Sequence, residues 1–247
     1  MRSVKRILAL AGRNVKEILR DPLSIIFMFA LPVAMELMFY ALFSSAAAQF
    51  AISLLAPGMA VFGQAFITLF IGILIATDRT SSFMIRLYTT ELKSYEIILS
   101  YALAAIPAAL IQGVAVYAAA AVLDISAITW HVIPALFAGI IPTVMFLSFG
   151  ILFGSVCGEK SVGGVSSIIV TAQSMLSGMW FPPEGLSSGF LKVMDILPFK
   201  NASLVITSVF NGETSAESTL IPCLIVLGYS AVVFIISVFV YRRKMVQ

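Results

Sequence analysis

Residues 154–161 read Gly-Ser-Val-Cys-Gly-Glu-Lys-Ser, the stretch that comes nearest to a phosphate-binding loop. Such a loop needs Gly, four residues, then Gly-Lys-Ser/Thr, so that backbone amides cradle the phosphates and the lysine reaches them. Here Glu159 separates Gly158 from Lys160, and no strand pattern precedes the segment. Nucleotide binding is therefore not expected, and the chain shows no energy source of its own. One histidine, His131, and two cysteines, Cys157 and Cys223, leave no zinc or haem ligand set and no expected disulfide.

Glu36 stands in the middle of an apolar run, LPVAMELMFYALF. A carboxylate in hydrocarbon is costly, so it must be protonated, paired or in contact with a wet cavity. It either makes a structural hydrogen bond to a neighbouring helix or second subunit, or meets substrate or a proton. Gln64, Gln112 and Gln173 are the polar residues that could meet it. No histidine or carboxylate pair accompanies them, which argues against an intramembrane enzyme. Two stripes of small or hydroxyl residues also recur at helical spacing: Gln64, Thr68, Gly72 and Ala76, and Gly164, Ser167, Thr171, Ser174 and Gly178. Such stripes either pack helices closely within a protomer or meet across a dimer or pathway.

The elements that must hold these residues are membrane spans. The chain of 247 residues is 60% hydrophobic and 11% charged, and a soluble core of this size could not hide that much apolar surface. Six segments are long enough to cross hydrocarbon: 23–43, 55–77, 97–123, 132–156, 163–181 and 219–241. Only helices satisfy every backbone amide there. The expected class is an all-α membrane protein: six transmembrane helices in one domain, 23–247, with short re-entrant outer helices in the loop 182–218. With both termini inside, 13 of the 15 Lys and Arg fall on the cytoplasmic side, leaving Lys192 and Lys200 outside. The net charge of +3 is too small and spread to suggest nucleic acid, and no removable signal peptide is expected.

Residues 1–22 precede the spans as an amphipathic helix in the cytoplasmic interface. Val4, Ile7, Leu8, Ala11, Val15, Ile18 and Leu19 share one face. Arg2, Lys5, Arg6, Arg13, Lys16 and Arg20 share the other, turned to anionic lipid or a soluble partner. Pro32, Pro107, Pro134 and Pro142 sit within spans, where each can kink its helix.

Between the second and third spans lies a charged island, 78–96, reading DRTSSFMIRLYTTELKSYE, with no proline or glycine. Asp78-Arg79 opens it, with Leu87 and Thr90 further on. A second series, Ser177, Gly178, Phe181, Pro182, Leu186, Leu197 and Pro198, precedes the last span. In this order, with six spans and an amphipathic leader, they resemble the membrane subunit of type-2 (ABCG-like) ABC exporters, along the whole chain. Ser82 and Glu91 depart from the glycine and proline usual there, and Ser187 stands where proline is frequent.

The resemblance implies a concrete machine. Two such subunits, identical or different, pair in the plasma (inner) membrane, each seated on one of two copies of a separate ABC ATPase that binds ATP and magnesium. This chain itself holds no cofactor. The island contains a coupling helix: Phe83, Met84, Leu87 and Tyr88 plug the ATPase, with Asp78, Arg79, Arg86 and Glu91 around the rim. Arg6, Arg13, Lys16 and Arg20 contact ATPase or lipid. The second and fifth spans flank the central path, so Glu36, Gln64, Thr68, Thr171, Gln173, Ser174 and Gly178 become pathway or dimer-interface residues. Phe181, Pro182 and Leu186 lead into an outer gate. A largely apolar interior favours a drug, lipid or peptide as cargo. The alternatives are a lipid-linked glycan exporter, which should line its spans with more aromatic and polar groups, and an ATP-independent secondary transporter, which should show an internal repeat.

Overall fold

The computed structural model describes residues 2–81, 94–181 and 185–245, and every regular element among them is a helix. Helix α1 covers Arg2–Arg20. Its buried positions, Ile7, Ala11, Asn14 and Ile18, recur along one helical face, and α1 packs mainly on α4 (Ser94–Leu123). Val4, Leu8 and Leu19 form the adjoining edge and stay exposed. An exposed apolar edge beside a basic face is what a helix lying in the membrane interface presents. Asp21 then caps α2 (Pro22–Phe43): its carboxylate accepts from Ser24 N at 3.0 Å and Oγ at 2.6 Å, with Pro22 at the first helical position.

Helix α3 (Ile52–Thr80) is the hub, almost wholly buried, and packs against α2, α4, α5 (Val132–Val156), α6 (Glu159–Leu176) and α8 (Pro198–Asn211). Glycines make its closest contact possible. A Cβ at Gly154 of α5 would stand 2.7 Å from the Gly72 carbonyl oxygen of α3, and one at Gly150 would stand 3.1 Å from that of Thr68. The two backbones touch along a seam of small residues, a packing mode that lipid favours because apolar side chains gain little there from leaving it. By contrast α9 (Ile221–Met245), entered through a π-helical turn at Ala216–Leu220, turns Leu224, Ile235 and Phe239 outward.

Among the described residues five helices are long and apolar enough to cross a membrane: α2, α3, α4, α5 and α9 with its π turn. Helix α6 is less apolar, but its 18 residues rise about 27 Å, close to the thickness of hydrocarbon. Its ends also lie at opposite ends of the bundle. Cys157, just before it, meets the end of α3 through Arg79, while Gln173 near its far end meets α8. Helix α6 thus runs between the two ends of the bundle. It was expected over 163–181 and instead starts at Glu159 and stops at Leu176. The charged pair Glu159-Lys160 reads as a loop in sequence, yet a carboxylate in a first turn suits the positive end of a helix dipole. The stop precedes Gly178, which adopts φ 80°, a left-handed conformation that favours glycine.

Before α9 the chain folds back. Helices α7 (Ser188–Ile196) and α8 meet at 75°, the bend of a broken span or a re-entrant loop, with extended Leu197 between them. Helix α8 ends on Gly212 (φ 72°), with Glu213 N donating to Ser208 O at 2.9 Å. The bundle therefore has two unlike ends. One carries α1 and the junctions α3/α4 and α5/α6. The other carries α7, α8 and the aromatic cluster of Phe39, Phe43, Phe50 and Trp180.

Candidate functional site

At the α1 end, three elements converge on one carboxylate. Asp78 lies in the last turn of α3 and is 2% exposed. Arg13 of α1 grips it with both terminal nitrogens, Nη1 to Oδ2 at 2.5 Å and Nη2 to Oδ1 at 2.6 Å. Such a fork is the strongest geometry available to an arginine–carboxylate pair. Tyr101 of α4 donates its hydroxyl to Asp78 Oδ2 at 2.8 Å. Glu17, one turn on from Arg13, adds a second anion at 2.7 Å. Burial disfavours the charge on Arg13, but the hydrogen bonds and field of Asp78 outweigh it, so the Arg13 pKa is raised. Asn14 Nδ2 donates to Ser100 Oγ at 3.2 Å, and Ser3 bonds Glu96, so α1 is tied to the first turns of α4 at two points.

Arg79, next along, turns the other way. Its guanidinium bonds the carbonyl oxygens of Gly154, Ser155 and Cys157, with Cys157 at 3.3 Å. These carbonyls end α5 and have no amide to accept from within the helix, so the arginine acts as their cap. Asp78 and Arg79 precede residues 82–93, and Glu96 and Tyr101 follow them. Both ends of that segment are thus clamped to α1, α4 and α5.

Three residues expected from sequence to contact the ATPase, Asp78, Arg79 and Arg13, are engaged within the protomer. Asp78 is no rim contact for a soluble partner, because its side chain is enclosed and fully engaged. Arg13 is bound to Asp78 while its side chain stays 28% exposed. Lys16 and Arg20 remain exposed and Arg6 is half-buried. Phe83, Met84, Arg86, Leu87, Tyr88 and Glu91 lie outside the described residues, as does Pro182. Tyr101, Asn14 and Glu17 were missed. Asn14 carried a signal, since it stands at an apolar-face position in the series 7, 11, 14, 18.

Deeper in the bundle the polar residues are arranged differently. Glu36 is 0% exposed, and neither carboxylate oxygen has a hydrogen-bond partner among the described residues. Tyr117 of α4 lies within its electrostatic reach. Gln112 is equally buried, lacks partners on both amide atoms among the described residues, and lies against Gly63. Gln64 sits apart, its amide nitrogen against Gly139.

The two small-residue stripes also part company. Thr68 is 0% exposed and donates to Phe146 O at 2.9 Å, while Gly72 meets Val162 and Ser166. That stripe packs α3 on α5 and α6 inside the protomer. On α6, Gly164, Ser167 and Thr171 are exposed, and hydroxyls facing lipid would be wasted. Gln173 points inward to Phe199 O (3.3 Å) and Ser203 Oγ (3.1 Å), and Ser174 accepts from Trp180 Nε1 at 2.7 Å. Beyond Gly178, Phe181 is exposed and Leu186 half-buried. Among the described residues no three His, Cys, Asp or Glu side chains come together as a metal site.

The chain was compared with known proteins. The family model described as ABC-2 type transporter matches residues 5–210, from within α1 to the end of α8. No curated protein matches the chain.

Proposed function

The chain belongs to the ABC-2 type transporter family, and from that premise we propose that it is the membrane subunit of an ATP-driven exporter of hydrophobic or amphipathic cargo. It is a multi-pass membrane protein, and its family implies an ABC ATPase subunit as partner. In the proposed arrangement the α1 end faces the cytoplasm and both termini lie there, in the plasma (inner) membrane. Two permease chains pair, identical or different, and two ATPase copies dock beneath them. ATP and magnesium are bound and consumed on the ATPase. This chain contributes no catalytic group and holds no cofactor.

The observation that carries the coupling role is the double clamp around residues 82–93. A push on that segment is delivered at Asp78 to α1 and α4, and at Arg79 to the α5–α6 junction. Phe83, Met84, Leu87 and Tyr88 are the side chains proposed to enter the ATPase, with Arg86 and Glu91 beside them. The exposed stripe of Gly164, Ser167 and Thr171 is the surface proposed to meet the second permease or the path. The few fixed charges within the spans favour apolar or amphipathic cargo.

The test is a pull-down of the tagged chain from its native membranes in mild detergent, with mass spectrometry of everything retained. An ABC ATPase should co-purify and be lost when Phe83→Asp and Leu87→Asp are combined. A chain that comes down alone, and transports in vesicles without ATP, would contradict the proposal. It would point to a secondary transporter with Glu36 as its proton site.

A further inference from the structure

A cavity of about 340 Å³ opens at the end away from α1, between the start of α3, the turn after α6 and helix α8. Small-molecule sites run from roughly 300 to 1,000 Å³. Its polar lining offers donors in Lys200, Ser203 and Thr207, whereas Ser177 already donates to Ser174 O and Gln49 to Trp180 O. Ser203 already accepts from Gln173 Nε2, which leaves its own hydroxyl proton for another acceptor. Among the described residues no acidic side chain lines this space. Lys200 does pair with Asp195 at 2.5 Å, but Asp195 is 59% exposed and outside the cavity, where water screens the pair. Leu54, Met179 and Leu204 complete an apolar wall. A cavity of similar size at the α1 end differs in charge: Glu17 and Asp21 line it along with Arg20.

We propose that the cavity beside Lys200 binds an amphiphile bearing one anionic group, a carboxylate or a phosphate. The anion meets the ammonium and hydroxyls, and the tail lies along Leu54, Met179 and Leu204. As a station for outgoing cargo the site rests on the exporter proposal, and as a binding site it stands without it.

The chain supplies its own reporter, because it has two tryptophans and Trp180 directly follows the lining residue Met179. Trp130→Phe leaves Trp180 alone. Full-length protein in zwitterionic nanodiscs, without ATPase or ATP, is titrated with a doxyl-labelled fatty acid and with its uncharged methyl ester. The acid should quench Trp180 saturably at about tenfold lower concentration than the ester. Lys200→Gln should abolish that preference, Lys200→Arg should keep it, and Thr207→Phe, which fills the cavity, should remove saturable quenching. Unchanged elution and melting of Lys200→Gln exclude misfolding as the cause. Competition by phosphatidylglycerol assigns the site to a lipid headgroup, and its absence to a free amphiphile; both retain the anion preference. Equal affinity for acid and ester, or an unchanged preference in Lys200→Gln, overturns the proposal. The pull-down does not depend on Lys200, so the two proposals fail separately.

Discussion

Three carboxylates are buried among the described residues, Glu36, Asp78 and Glu96, and the first two are treated in opposite ways. Asp78 is held by a forked arginine and a tyrosine hydroxyl at the α1 end. Glu36, in the apolar middle of α2, has no hydrogen-bond partner among the described residues. A buried charge is tolerable when every lone pair is engaged and costly when it is not. The contrast shows where the protomer is complete in itself. The α1 end is closed chemistry, built to hold helices in fixed relation. In mid-membrane, Glu36 and Gln112 are open chemistry, buried polar groups with no hydrogen-bond partner among the described residues.

The sharpest way to break the comparison is Arg13→Ala, which strands Asp78 with Tyr101 alone. It should cost about 3 kcal/mol, roughly 6–12 °C in thermal midpoint by scanning fluorimetry in detergent. Tyr101→Phe removes the other partner and should cost about 1 kcal/mol in the same assay. Thr68→Val cuts one buried interhelical hydrogen bond inside the spans and should cost roughly 0.6 kcal/mol. Glu36→Gln keeps the shape and removes the carboxylate, and should shift the midpoint by less than about 0.5 kcal/mol. A Glu36→Gln variant that melted like Arg13→Ala would erase the distinction and place a charged partner beside Glu36.

The fold was largely legible because lipid imposes one strong rule. Apolar runs of the right length had to be helices, and all six are. The two-faced pattern of residues 1–20 located α1. What the sequence could not distinguish was the two stripes on the second and fifth spans. Both are small and hydroxylated, yet Thr68 is enclosed and Thr171 is exposed, a difference created only by what packs alongside. The Gly150–Gly154 spacing was readable as a close-packing seam and was passed over. The site was less legible. Arg13 and Asp78 are 65 residues apart, and each looks like an ordinary surface charge in its own neighbourhood. Tyr101 lies in an apolar run where nothing marks it as a hydrogen-bond donor to a distant carboxylate. Only Asn14, a polar residue on an apolar face, hinted that α1 had a polar contact to satisfy.

The clamp at Asp78 is proposed to transmit the ATPase stroke, and a double replacement tests this most directly. Arg13→Ala with Asp78→Ala removes both charges together, so neither is left stranded. The chain is reconstituted in vesicles with its co-purified ATPase, and ATP hydrolysis and cargo export are measured in the same preparation. Hydrolysis that persists while export falls by about tenfold or more, against wild type, is the expected result. Export that stays in proportion to hydrolysis would contradict it and reduce the Arg13–Asp78 pair to a structural contact.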